Sequence, residues 1–461
     1  MTSTETDYLF NEQRTFFDSG KTKPYAFRMD QLLKLKKAIR EQESLIIEAL
    51  HKDMHKPAFE AYVSEIGILY EEIDYILENL QEWMKPERES TPLALQPSSS
   101  KIYSEPLGVV LIIGPWNYPF QLLIAPLLGA IAAGNCAILK PSDNTKHTAQ
   151  AIERLIKSIF PMNYISVVQG AGSTVGPMLI EKYRFDHIFF TGSPKVGKEI
   201  MKMAAEHLTP VTLELGGKSP AVVDRDTNVD TTAKRLIWAK CFNAGQTCVC
   251  PDYLLVHESI KNELVERMIF HLKQFFGDIP LTSEHLTHIV NEKRFNTLIK
   301  YLDGVSILHG GKYDASTLCI EPTLVDQVPD NHPLMREEIF GPILPIFTFQ
   351  NLNEIVPFIR KNRYPLSCYL FTSNPITENF VIEHIEFGGG CINNAIAHLA
   401  NPKLPFGGVG NSGMGKYHGK NSFETFSHKK SILKTKFFYD PSLRYPPYTK
   451  SKEKWAHWLF G

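Results

Sequence analysis

A dominant charge of one sign is missing from this chain. Lys and Arg (49) nearly cancel Asp and Glu (50) over 461 residues, so no global field draws it to nucleic acid or an anionic membrane. Long hydrophobic runs are missing too. The longest, Leu122 to Gly134, contains Pro126 and is too short to span a bilayer, which fits a buried helix. The N-terminus, M-T-S-T-E-T-D-Y-L-F-N-E, has neither the basic start nor the apolar stretch of a secretory signal, and a cytoplasmic location is expected. The seven cysteines are odd in number and scattered, unlike the paired framework of a small secreted domain, and imply a reducing compartment. His51 and His55 lie one helical turn apart without a third ligand nearby, so no metal is expected and the pair reads as a solvated helix face. No internal repeat or low-complexity tract is evident.

What is there is ordinary globular composition, 43% hydrophobic, in a chain long enough for two or three domains. From Phe27 to Trp83 apolar residues recur at three and four residue spacings, which predicts covering helices. A polar stretch from Lys85 to Ser100 then leads into K-I-Y-S-E-P-L-G, whose alternation predicts a strand set apart from the main body. From Gly108, short apolar runs (V-V-L-I-I-G, C-A-I-L-K, Y-I-S-V-V-Q-G, H-I-F-F-T-G-S, V-T-L-E-L-G-G) alternate with helical segments. That is the pattern of βαβ units, and predicts a parallel sheet of nucleotide-binding type covered on both faces. A second α/β unit follows Gly217, with long amphipathic helices expected after Glu258 and after Asn351. The stretch from Ser431 opens as a strand expected to pair with the one near Ile102, within the chain or across a subunit interface. Its aromatic, basic end is expected to pack on a partner subunit or the domain surface in preference to a membrane or the site's mouth.

Chemistry concentrates in a few stretches. Cys248 sits in F-N-A-G-Q-T-C-V-C-P-D-Y, too small, polar and Gly-bearing for the interior of a helix or strand, yet suited to an exposed nucleophilic thiol. Asn117, in G-P-W-N-Y-P, follows the first strand of the sheet, where open α/β sheets place ligands and where its amide can donate to an oxyanion. Glu214 lies in the apolar strand of V-T-L-E-L-G-G-K, where burial raises a carboxylate toward general-base range unless a lysine such as Lys218 satisfies it. Gly192 to Lys198 matches the opening of a P-loop, but Glu199 stands where a magnesium-binding hydroxyl is required. The segment is therefore read as an anion seat at a helix N-terminus. Glu338, in E-E-I-F-G-P, suits ribose hydroxyls, with Phe340 as an apolar wall.

Together, P-W-N-Y-P, K-P-S-D, F-T-G-S, E-L-G-G-K, G-Q-T-C, E-E-I-F-G-P and P-F-G-G-V-G-N-S-G-M-G, in this order, resemble the aldehyde dehydrogenase superfamily over about residues 20–435. The ending G-N-S-G-M-G-K-Y-H-G-K-N-S-F-E-T-F-S-H resembles its class 3 and fatty aldehyde branch. The resemblance implies an α/β fold with an atypical Rossmann cofactor domain, a catalytic domain and a small bridging β arm. The corresponding ranges are 1–84 and 107–213 for the cofactor domain, 214–418 for the catalytic domain, 85–106 and 419–445 for the bridge, and 446–461 for the tail. It implies Cys248 as nucleophile, Glu214 as the base that activates water, and Asn117 in the oxyanion hole. For NAD or NADP it implies Lys140 and Asp143 at the adenosine ribose, and Gly192, Ser193 and Gly197 at the pyrophosphate. Leu215 and Phe340 fall beside the nicotinamide, and Glu338 on its ribose. Tyr118, Trp238 and Phe406 match the substrate tunnel and favour an apolar aldehyde, and a homodimer is implied. Asp143 is shorter than the Glu of many relatives, which leaves NAD and NADP both open. Cys250 replaces a small residue, either as a neutral substitution or as partner for a reversible disulfide with Cys248. A CoA-acylating relative would not need Glu214, a papain-like hydrolase would need a partnered His, and a retired binding homologue would be expected to lack one of the three groups.

Overall fold

Apolar residues at helical spacing fold residues 3–84 into α1 (Ser3–Asp18), α2 (Tyr25–Glu41), α3 (Glu43–Met54), a single turn α4 (Ala58–Ala61) and α5 (Ile68–Trp83), with a π-helical stretch at Tyr62–Gly67. The structure, a computed structural model, describes residues 3–460. Helix α1 precedes the helical pattern read from Phe27 onward. It is held by buried Leu9 and by Gln13, whose amide donates to Ala137 O, Met162 O and Ser166 Oγ, each at 3.1 Å.

The polar segment after α5 forms the arm, β1 (Glu87–Glu89) and β2 (Ser98–Pro106). Strand β2 pairs antiparallel with Ser427–Thr435, and Ser431 falls opposite Ile102. The expected pairing is made within the chain.

The first sheet follows as β3 (Val109–Ile113), α6 (Gln121–Ala133), β4 (Cys136–Lys140), α7 (Lys146–Ile159), β5 (Ile165–Val167), α8 (Gly172–Lys182), β6 (His187–Gly192), α9 (Pro194–Ala205) and β7 (Val211–Leu215). Its spatial order is Gly413–Met414, β7, β6, β3, β4, β5, with all neighbours parallel except the first pair. Every residue of α6 is buried, which is why its sequence is apolar all round despite Pro126. The chain builds outward from β3 to β5, then returns to β3's other side with β6. The switch point between β3 and β6 is where ligands enter such sheets.

Four residues after β7 the second sheet begins with β8 (Pro220–Val223), followed by α10 (Val229–Cys241), β9 (Tyr253–His257) and α11 (Lys261–Phe276). Its order is Ser306–His309, Thr323–Asp326, Ile343–Phe349, β9, β8, Ser367–Phe371, Gly389–Ile392, parallel except at the Ser306 edge. The long helix expected after Asn351 is only a 3-10 turn at Leu352–Glu354 and the short helix Ile355–Arg360. It stops because the chain turns through Tyr364, at φ 68°, into Pro365. Two later stretches return to the first sheet: Gly413–Met414 pairs with β7, and the helix Lys420–Thr425 packs on α6. The last helix, Lys450–Phe460, lies against the turn Leu93–Leu95 with Trp455 and Trp458 exposed. Among the described residues no helix is long and apolar enough to cross a membrane.

Buried Asn135 ties three of these parts together. Its Oδ1 accepts from Gly108 N at 2.8 Å, and its Nδ2 donates to Phe426 O at 2.9 Å and Ala130 O at 3.3 Å. Asn135→Ala strands a backbone donor and a carbonyl, and should destabilise the fold by about 2–5 kcal/mol. An earlier urea transition is expected; an unchanged midpoint would contradict the tie.

Candidate active site

Two cavities meet at the carboxyl ends of the first sheet. The larger, about 730 Å³, is lined by Trp116 and Asn117 after β3, Gly192 and Ser193 after β6, and Glu338 and Phe340 from the second unit. The other, about 560 Å³ and mostly apolar, carries Tyr118, Trp238 and Phe406 in its walls. Leu122, Thr191, Glu214, Leu215 and Cys248 line both. A thiol and a carboxylate thus stand in the shared wall, reachable from either side.

The Cys248 loop is held by backbone geometry that its sequence requires. Asn243, Ala244 and Gly245 take left-handed φ of 54°, 52° and 72°, and a Cβ on Gly245 would fall 2.3 Å from Gly341 O. Asn243 Nδ2 donates to Asn117 O (2.9 Å) and Gln246 O (3.1 Å), while Asn117 Nδ2 donates to Gln246 O at 3.0 Å. These bonds stitch the turn bearing Asn117 to the turn bearing Cys248 and leave the second amide N–H of Asn117 for another acceptor. Burial first, then the Glu338 and Glu214 carboxylates, push the Cys248 thiol up, and the Cys248 and Val249 N–H groups oppose them. Cys250 makes no disulfide; its buried thiol faces the carbonyls of Ala239, Lys240 and Pro251.

Glu214, the penultimate residue of β7, has both carboxyl oxygens buried and unpartnered. Burial raises it well above the usual carboxylate range, against a weaker pull from Lys416. Lys218 does not satisfy it. That ammonium is committed to Asp252, to Leu334 O at 2.6 Å and to Glu337 O at 3.0 Å.

The larger cavity's residues fit a dinucleotide. Ser193 caps α9, with its Oγ accepting from Val196 N and Pro194 following, so the start of this helix, from Gly192 to Lys195, borders the cavity. Trp116 and Phe340 meet edge to face at 5.3 Å and form an apolar wall with Leu215. Glu338 leaves Oε1 buried without a partner, and its Oε2 lies where a Cβ on Gly216 would come within 1.9 Å. The glycine makes room for a carboxyl group of which one oxygen, Oε1, is left without a partner.

Three expected cofactor residues lie outside that lining. Lys140, the last residue of β4, donates to Pro141 O at 2.7 Å, and Asp143, just beyond that strand, accepts from Gly172 N through Oδ1 at 3.2 Å. Gly197 is a packing residue, since a Cβ there would meet Leu215 Cδ2 at 2.7 Å. Tyr118, Trp238 and Phe406 all line the apolar cavity, and Tyr118 Oη meets Thr247 Oγ1 at 2.6 Å. The sequence reading missed Leu122, Thr191, the π-helical residues Tyr62, Val63 and Gly67, and Tyr417 and His418, which also line it. Thr191 lies inside the motif F-T-G-S and was legible there; the π-helix has no sequence signal. His55, read with His51 as part of a solvated helix face, stacks on His288 at 4.3 Å, and no metal-holding group occurs among the described residues.

Burial, with the charge of Asp252, raises the Glu338 carboxyl to about 8 from 4.5. Below the unfolded value both states hold the proton. Between the two values only the folded state does, so the cofactor-free protein loses stability as pH rises through this window, by at most about 1.4 kcal/mol per unit. Glu338→Gln removes the effect. Its melting temperature should gain on wild type as pH rises from the unfolded toward the folded value and level off beyond; parallel curves would contradict the assignment.

Comparison with known proteins agrees with this geometry. The sequence profile of the aldehyde dehydrogenase family matches residues 1–432. The 4,4'-diaponeurosporen-aldehyde dehydrogenase of Staphylococcus aureus is 47% identical, over 98% of each chain. The mouse protein named aldehyde dehydrogenase, dimeric NADP-preferring, is 43% identical over 95% of this chain and 97% of its own. A solved structure described as the substrate-bound state of Staphylococcus aureus AldH superposes with a TM-score of 0.96, at 47% identity over the whole of both chains. The chain belongs to the aldehyde dehydrogenase family and is an NAD(P)-dependent aldehyde oxidoreductase.

Proposed function

We propose that the protein oxidises apolar aldehydes, medium or long aliphatic chains or aromatics, to carboxylic acids through a thioester on Cys248. The observation that carries the reading is the shared wall, in which Cys248 and Glu214 line both a polar-edged cavity and an apolar one. The Cys248 thiolate adds to the carbonyl carbon of an aldehyde entering past Trp238. The free N–H of the Asn117 amide and the Cys248 N–H bind the oxyanion, a contribution of about 3–4 kcal/mol for one well-placed donor. When bound, the nicotinamide supplies the acceptor for the two electrons that the substrate carbon gives up. Glu214 then takes a proton from water, which attacks the thioester and frees the acid. A carboxylate kept basic by burial and free of partners suits that step.

Glu338 and Ser193 hold the cofactor's polar parts, with Leu215 and Phe340 against its ring, Gly192 and Gly197 letting backbone and helix come close, and Lys140 and Asp143 at its far end. Asp143 is already engaged by Gly172, which supports acceptance of both NAD and NADP. The mouse relative's name supports a homodimer. The exposed Ile432 and Leu433 on the open edge of the arm suit one. A cytoplasmic location completes the reading.

The test is cofactor reduction by purified protein with NAD or NADP and hexanal, decanal or benzaldehyde, without CoA. Turnover that rises with apolar chain length and vanishes in Cys248→Ala is expected. Activity only with CoA, or undiminished in the variant, would overturn the reading.

A further inference from the structure

Lys56 and Glu65 form an ion pair in which neither side chain has any exposed surface. Such pairs are poor stabilisers, because desolvation offsets the attraction and apolar replacements of similar volume often do as well. This pair's hydrogen bonds all go to one turn. Lys56 Nζ donates to Asn117 O at 3.3 Å and sits 4.3 Å from the centre of the Tyr118 ring. Glu65 Oε2 accepts from Phe120 N at 2.9 Å and Gln121 N at 3.2 Å. Phe120 is the N-cap position of α6 and offers no capping side chain, so Glu65 caps that helix from another part of the chain.

The carboxylate reaches the turn from the π-helix Tyr62–Gly67, which also lines the apolar cavity with Tyr62, Val63 and Gly67. Its wider turn changes the face presented after α4. On the far side, Asn117 O accepts a second bond from Asn243 Nδ2, and Asn243 N donates to Glu60 Oε1 at 2.8 Å. The Asn117 peptide is therefore held from two directions by groups that touch neither cavity's reacting atoms.

We propose that Lys56, paired with Glu65, is a positioning residue that fixes the Asn117 turn and so aims the amide N–H at the oxyanion. The inference rests on the oxyanion role given to Asn117 above. Loss of the ammonium frees one acceptor of Asn117 O and leaves Glu65 pulling on the start of α6 alone. The amide's aim then depends on Asn243 and Gln246 only.

The test uses the full-length enzyme with NAD and decanal, comparing wild type, Lys56→Gln, Asn117→Ala and the double variant. Lys56→Gln should slow single-turnover thioester formation by about ten- to a hundredfold, while cofactor affinity and Cys248 alkylation by iodoacetamide, which builds no oxyanion, stay within about twofold. In the Asn117→Ala background the same change should cost less than about threefold, because the group it positions is gone. If Lys56→Gln does not fold, Lys56→Met with Glu65→Leu replaces the pair by apolar side chains and is held to the same expectations. Independent, multiplying losses, or a wild-type rate without the lysine, would overturn the positioning role while leaving Asn117 in place. A wild-type rate in Asn117→Ala would overturn both.

Discussion

Desolvation of one carboxylate is the constraint from which much of the site follows. Glu214 lies one residue from the end of the last parallel strand of the first sheet with neither oxygen partnered, where a close ammonium would neutralise its purpose as a base. The neighbouring lysine is accordingly taken up by Asp252 and two carbonyls. Gly216, two residues on from Glu214, lets the Glu338 carboxyl come in against bare backbone. The thiol opposite is raised by the same burial and by both carboxylates.

Two sheets supply this arrangement because each contributes only part of it. The first gives Asn117, Thr191 and Glu214 from strand ends on both sides of its switch point, and the second gives Cys248 and Glu338 from the segments before and after its strands. Joining them requires the left-handed run Asn243 to Gly245, a local cost offset by hydrogen bonds that Asn243 donates to Glu60 and Asn117 and accepts from Gln246. Rigidity at this seam is what keeps an amide, a thiol and a carboxylate in register.

Much of this was legible in the sequence, for a physical reason. Apolar runs between helical segments dictate a parallel sheet, and strand ends rich in Gly, Ser and Asn mark where backbone meets ligand. Cys248, Glu214, Asn117 and the tunnel aromatics were placed that way or through the family resemblance, and the structure brings them to one pair of cavities. Long-range partners were not legible. Lys56 and Glu65 stand in a chain segment far from Asn117 with no local motif to single them out, and only the fold buries them beneath it. Helix α1 was missed because its anchoring residue, Gln13, is polar, and the helix after Asn351 was overdrawn because Pro365 and the turn at Tyr364 act beyond the apolar run.

The most direct measurement follows Glu214→Gln through its first turnover with decanal and NAD. The account predicts about one equivalent of reduced cofactor per site, then arrest, with the acyl group found on Cys248 by mass spectrometry. Thioester formation needs the thiol and the oxyanion donors, whereas its hydrolysis needs the carboxylate. Sustained turnover, or no initial burst at all, would contradict the division of labour between Cys248 and Glu214.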